Sequence, residues 1–268
     1  FTELWGPRMR QSILDVTGLY RVNDRVQLVG TVPVVMNKFS MIFPPLGIDQ
    51  GTRSGFGVNG IGDISLYGQA FLLDPKEHPF ENISLGIGIK PPTGSWYARR
   101  NIPNEAGTQI EKRSAYPPAI LPGDGGTGIL FGYDAYKSIG GLSFLRGTTL
   151  FSSAVYLANP RGTNGTPSIV SSLDVPLSPI FFDRVNNSVA DTWTMQAGIS
   201  SRVPKTWNKP KLRGLRMRGT FHWSGVRKND LIGSNRGFRQ PGWLMAVAPG
   251  FSYRYKRHML IVEAPITI

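Results

Sequence analysis

The sequence contains no cysteine. That absence excludes a disulfide framework, a thiol nucleophile and any Cys-ligated zinc or iron–sulfur site. Histidine is nearly as scarce. His78, His222 and His258 lie in different segments, and no two have ligand spacing. No metal centre and no cofactor are therefore expected. Acidic residues are few: 17 Asp and Glu stand against 30 Lys and Arg, for a net charge of +13. Charged residues make up only 18 % of the chain, below the roughly 25 % of an ordinary soluble domain. No apolar run reaches the ~18 residues of a transmembrane helix. The nearest, Met41 to Ile48, is short and broken by Pro44, Pro45 and Gly47. Phe1 follows neither a Met nor a signal-peptide n-region, so the numbering is expected to start at a mature terminus or inside a longer chain.

What the chain does have is glycine (32) and proline (21), together about a fifth of its 268 residues. Each Gly costs ~1 kcal/mol and each Pro ~3 in a helix interior, so the chain cannot be mostly helix. It also has alternation. In Ile83-Ser84-Leu85-Gly86-Ile87-Gly88-Ile89-Lys90 the four apolar side chains share one face and Ser84 and Lys90 the other. Trp193, Met195, Ala197 and Ile199 oppose Thr194, Gln196 and Arg202. Leu215, Met217, Phe221 and Trp223 oppose Arg216, Arg218, His222 and Ser224. A period of two signals strands with one apolar face. Ten are expected, near 11–21, 25–36, 61–73, 82–91, 128–137, 147–158, 192–203, 214–226, 243–255 and 259–268. Several match the ~9–11 tilted residues that cross a bilayer core.

The connections alternate in length. The links 37–60, 91–127, 159–191 and 227–242 are long, and those between them are short or moderate. Outer-membrane barrels sort their loops this way. Trp193, Trp223, Trp243, Tyr253 and Tyr255 fall on apolar faces near strand ends, where interfacial girdles sit. The expected fold is all-β: an antiparallel transmembrane β-barrel of about 10–12 strands with long extracellular loops, one domain over residues 1–268. With the long links outside, both chain ends fall outside as well. One further strand before Phe1 and one after Ile268 are therefore expected, completing an even-numbered barrel.

Several motifs also resemble a known family. Gly60-Ile61-Gly62-Asp63-Ile64 is followed by Leu85-Gly86-Ile87-Gly88-Ile89-Lys90-Pro91-Pro92-Thr93-Gly94. Further on come Tyr156-Leu157-Ala158-Asn159-Pro160-Arg161-Gly162-Thr163-Asn164-Gly165 and Asp230-Leu231-Ile232-Gly233-Ser234 with Gly237-Phe238-Arg239-Gln240-Pro241-Gly242. These resemble the outer-membrane barrels of the phenol meta-pathway degradation-like, transporter-like family. The resemblance spans most of residues 25–268 and implies an outer-membrane channel for small, often hydrophobic or aromatic compounds. It implies no catalytic residue.

Tempting motifs have plainer readings. Gly55-Phe56-Gly57-Val58-Asn59-Gly60 matches a dinucleotide fingerprint, but a strand follows it where a helix is required. The Gly123–Gly128 stretch lacks a P-loop lysine. His222 and Ser224 share a polar face, yet no acid is paired with them in sequence, so an outer-membrane hydrolase is only a rival and no enzyme is expected. Basic residues are dispersed rather than clustered with aromatics, which argues against nucleic acid.

On the polar strand faces lie Lys90, Arg146, Arg202, Arg216, Arg218 and Arg254, against Asp15, Asp63, Asp134 and Glu263. A lipid-facing Lys or Arg would cost ~2–4 kcal/mol at midplane, so these should point inward. The expected lumen lining is Asp63, Ser84, Lys90, Arg146, Gln196, Arg202, Arg216, Arg218, His222, Arg254 and Glu263. An open lumen with this basic excess should prefer anions. Arg99, Arg100, Lys112, Arg113, Arg227, Lys228, Arg236 and Arg239 fall in long links, where outer-membrane lipid and lipopolysaccharide phosphates are the expected partners. The expected function is passage of a small solute through the bacterial outer membrane. The alternative is a non-conducting scaffold in a surface assembly, with other subunits as partners.

Overall fold

A computed structural model of the chain describes residues 8–42, 53–97, 99–103, 110–114, 120–139, 147–168, 179–203, 214–255 and 258–268. The strands in chain order are β1 (Arg8–Arg10), β2 (Ile13–Arg21), β3 (Val26–Ile42), β4 (Arg53–Ile61), β5 (Ser65–Phe71), β6 (Glu81–Lys90), β7 (Arg99–Pro103), β8 (Ile110–Ser114), β9 (Gly128–Ile139), β10 (Thr148–Ala158), β11 (Thr163–Pro167), β12 (Asn186–Ser188), β13 (Thr192–Arg202), β14 (Leu215–Val226), β15 (Gly242–Tyr255), β16 (His258–Glu263) and β17 (Ile266–Thr267). A 3₁₀ turn, Pro179–Arg184, lies among them, and the described residues hold no α-helix.

Thirteen of these strands form one sheet. β1 and β2 run successively along one edge of β3, and β4 and β5 along its other edge. Pairing then follows β5–β6–β9–β10–β13–β14–β15, with β16 and β17 closing along β15. Every pairing in this sheet is antiparallel, and each lane lies beside its chain neighbour. The result is a ten-lane meander at the positions the alternation marks. Among the described residues no strand pairs with the outer edge of β2 or of β16, so these pairings do not close a barrel.

The long links hold more strand than expected. β3 continues to Ile42 and meets β4 as a hairpin, with Asn37 opposite Val58 and Phe39 opposite Phe56. The 37–60 link is thus largely sheet. Gly55, Gly57 and Gly60 carry no side chain, so they left no period of two to see. β7 pairs with β8 inside the 91–127 link, and β11 with β12 inside the 159–191 link.

The short turns have local causes. Asn23 Oδ1 accepts from the backbone N–H groups of Arg25 (2.9 Å) and Val26 (2.8 Å), a side-chain-closed turn between β2 and β3. Asp74 Oδ1 accepts from Lys76 N at 2.9 Å between β5 and β6. That backbone donor is the main reason the Asp74 carboxyl titrates below the ordinary carboxylate range.

The burial of the sheet is inverted relative to a water-soluble one. On β6, Ser84 is 1 % exposed while Ile87, on the opposite face, is 60 % exposed. Ile83, Leu85 and Ile89 share the exposed face, as do Phe131, Met195, Met217, Phe221, Trp223 and Val247 on later strands. Asn37, Gln69, Asn82, Thr220 and Ser252 are buried on the other. Half-exposed in water, the four apolar side chains of β6 alone would forgo roughly 3–6 kcal/mol of burial. That is comparable with the whole ~5–15 kcal/mol stability of a folded domain.

Candidate functional site

The buried face carries a polar row that crosses the sheet strand by strand. Gln27 lies opposite Gln69, Ser84 opposite Asp134, Asp134 opposite Ser153, Ser153 opposite Gln196, and Gln196 opposite His222. Neighbours bond to each other. Gln69 Nε2 donates to Ser84 Oγ at 2.7 Å and also to the Asp134 carboxylate, and Gln27 donates to Gln69. Gln196 Nε2 donates to Ser153 Oγ at 2.8 Å. Beyond His222 the row ends at Glu263, whose Oε2 lies 3.6 Å from His222 Nε2.

A basic cluster lies toward the short-turn end of the same face. Arg216 Nε donates to Ser200 Oγ (2.9 Å), and its terminal nitrogen to the carbonyls of Ser200 and Gly147 and to Thr149 Oγ1. Arg218 Nε donates to Glu263 Oε1 at 2.9 Å, with its guanidinium 4.2 Å from the centre of the Phe151 ring. Arg202 pairs across the ladder with Arg216, and Arg254 lies two residues beyond Ser252, the ladder partner of Arg216. Both are exposed. Glu263 offsets only part of this charge.

Near the middle of the sheet the buried face holds an aromatic slot. The Tyr67 ring lies flat over β6 and reaches β9. A Cβ at Gly86 would stand 2.3 Å from Tyr67 Cζ, and one at Gly132 would stand 2.7 Å from its hydroxyl.

At the long-link end, two side-chain clasps tie the loops together. In the first, Lys90 Nζ donates to Asp63 Oδ2 (2.8 Å), Asp124 Oδ1 (2.8 Å) and the Gly126 carbonyl (2.9 Å). Asp63 Oδ1 accepts from Gly94 N, and Thr93 Oγ1 accepts from Ile64 N. A Cβ at Gly94 would fall within 2.9 Å of Gly62, Asp63 and Gly123, so three chain segments meet here at a spacing only glycine permits. Asn37 Nδ2 donates to the carbonyl of fully buried Ile120, which holds this loop against β3. Burial pushes the Asp124 carboxyl above the ordinary carboxylate range, against the pull of Lys90.

The second clasp centres on Asp191, which is fully buried. It accepts from Asn159 N, Leu231 N and Tyr156 OH. Asp191 N donates to Asp230, which Arg239 holds through two 2.7 Å bonds. Asn164 Nδ2 to the Asp124 carbonyl (2.9 Å) and Arg161 to the Gly125 carbonyl (2.7 Å) join the two clasps.

The expected lumen residues Ser84, Lys90, Gln196, Arg202, Arg216, Arg218, His222, Arg254 and Glu263 share the buried face by register. They do not form one group. Asp63 and Lys90 belong to the first clasp, Ser84 and Gln196 to the polar row, and the arginines to the short-turn end. Arg146 lies outside the described residues. His222 and Ser224 lie two residues apart on that face, and the acid beside His222 is Glu263, which sequence spacing did not pair with it. Arg239 corrects an expectation. It is buried against Asp230 at 8 % side-chain exposure and cannot meet a lipid phosphate. The side chains of Arg99, Arg100, Lys112 and Arg113 are not described, while Arg227, Lys228 and Arg236 are exposed. Sequence reading missed Asp124, Asn159, Asp191 and Asp230; Asn159 and Asp230 stand inside motifs that carry the family resemblance, Asp124 stands in the Gly123–Gly128 stretch, and Asp191 stands in no motif.

A scan against protein-family models finds no match for this chain, and a search of curated proteins finds none either.

Proposed function

We propose that this chain is an integral outer-membrane β-barrel that passes a small solute, as the resemblance to phenol meta-pathway degradation-like barrels implies, with a preference for anions that its basic polar face supports. The inverted burial of the sheet carries the proposal: polar side chains pack on one face while Ile, Leu, Met, Phe and Trp stand exposed on the other. An apolar solvent around the exposed face would stabilise such a sheet. Dimensions agree. Trp243 and Tyr253 stand on the exposed face of β15, ten residues apart, about 33 Å along the strand. At the ~40° tilt of membrane barrels this projects to about 25 Å, the height of their apolar band. In hydrocarbon both sheet edges must be covered, so closure of the sheet belongs to the proposal.

The anion preference rests on Arg202, Arg216, Arg218 and Arg254 near one end of the buried face, with Glu263 as the counter-charge. The clasps favour a second reading, a barrel that does not conduct at rest and serves as a scaffold, because they lie across the long-link end.

Two measurements test this. The folded protein should need detergent for extraction and should migrate faster on gels unheated than boiled. In planar bilayers it should give discrete conductance steps. Extraction without detergent rejects the barrel, and a detergent-requiring protein that never conducts rejects the channel in favour of the scaffold.

A further inference from the structure

The exposed face carries a furrow of about 460 Å³ on β9, β10, β13 and β14. Its floor is Ala154. Tall side chains wall it. By register Ala154 lies between Tyr133 and Met195, with Trp223 one strand further. Above it stands a tier of Phe131, Tyr156 and Trp193. Trp193 and Trp223 meet edge to face at 4.7 Å, which fixes the far wall. Tyr133 OH and Ser152 Oγ are 3.0 Å apart and satisfy each other, so the furrow presents no open polar group there.

Two exposed cations, Arg227 and Lys228, stand at the top of the furrow. Arg227 is exposed, follows β14 with the same facing as Trp223 and Gly225, and holds its guanidinium 5.9 Å from the centre of the Tyr156 ring. Lys228, also exposed, adjoins it. Apolar groove, aromatic tier and exposed guanidinium thus follow one another along the membrane normal. Acyl chain, interface and headgroup phosphate of a lipid have the same order.

We infer that this furrow is a binding site for one phosphorylated glycolipid of the lipid A type, with an acyl chain over Ala154 and a phosphate on Arg227. The inference rests on the outer-membrane reading, which puts the long-link end in the outer leaflet. Charge complementarity selects the occupant: the groove is capped by cations, with no exposed acid among its lining residues. Arg239, the other arginine of this link held at the sheet end, is sequestered by Asp230 and does not compete.

The test uses the full chain in detergent micelles and lipid A as the probe, with bound lipid counted by native mass spectrometry. One lipid A should bind, and R227Q should weaken it about tenfold, as loss of a charge-assisted bond predicts. A154F, which fills the floor, should abolish retention, and R236Q, at an exposed arginine that does not line the furrow, should change nothing. Dephosphorylated lipid A should bind like the R227Q variant binds lipid A. Equal binding by all three variants, or equal binding of phosphatidylglycerol, overturns the site. Each variant's heat-modifiable migration is recorded alongside. Loss of that migration in the unmodified chain overturns the outer-membrane reading itself, whereas its retention with unselective lipid binding overturns only the furrow.

Discussion

Lys90 is the residue on which most of the described structure turns. A primary ammonium buried at 8 % exposure is tolerated only with compensation, and here two carboxylates and a carbonyl supply it. Removing one member leaves the others buried and uncompensated, which costs more than the pair itself contributes. Lys90→Met should therefore lower stability by about 3–5 kcal/mol. Urea unfolding in micelles, followed by the shift from the fast to the slow gel band, measures it. Asp63→Asn should behave alike, because Asp63 also anchors Gly94 and Asp124 through their backbone N–H groups. A change under ~1 kcal/mol in both would mean that the clasp is solvated rather than buried.

At the scale of elements, β6 joins both faces of the sheet. Under the proposed barrel its outward row meets lipid, so Leu85→Arg, near mid-strand, should cost about 2–4 kcal/mol in the same unfolding assay. An effect within ±0.5 kcal/mol would say that this face meets water. Its inward row expects the Tyr67 ring. Gly86→Ala places a methyl where that ring lies and should cost about 1–3 kcal/mol. In a Tyr67→Ala background the same change should cost almost nothing, because the two sites share one space. Additivity in this cycle would show that ring and strand do not touch.

Elements were the most legible part of the sequence. Alternation in Ile83 to Lys90 and Leu215 to Ser224 assigned each side chain to its observed face, because a slip of one residue would have inverted a whole strand. β4 escaped because its inward and outward positions alike include glycine. The clasps escaped for a different reason. Asp63 and Asp124 are 61 positions apart and Asp191 and Leu231 are 40 apart. No periodicity encodes a meeting of loops, although turn-forming motifs such as Gly62-Asp63 and Pro92-Thr93-Gly94 marked where they would occur. Arg239 was misassigned because a sequence shows its charge but not its partner Asp230.

For the whole molecule, the exposed arginines at the short-turn end are the better handles on selectivity. Arg216 is bonded into the wall, so its replacement would disturb the sheet, whereas Arg202 and Arg254 are exposed. Under a salt gradient the reversal potential should indicate anion preference, and Arg202→Glu with Arg254→Glu should move it toward cations. A cation-preferring unmodified chain would contradict the assignment of these arginines to the conducting path.

The meander also dictates an order of assembly. Each lane of the sheet finds its partner in the lane beside it in the chain, so short-turn hairpins such as β2–β3 and β5–β6 form at small loop-closure cost. The clasps instead wait for segments tens of residues apart to be brought together by a finished sheet. They should be the last contacts made and the first to open. Amide exchange in the intact protein should therefore report faster opening at Gly94, Asp124 and Leu231 than at Ile87 or Gln196. Equal protection across both sets would mean that loops and sheet open together as one cooperative unit.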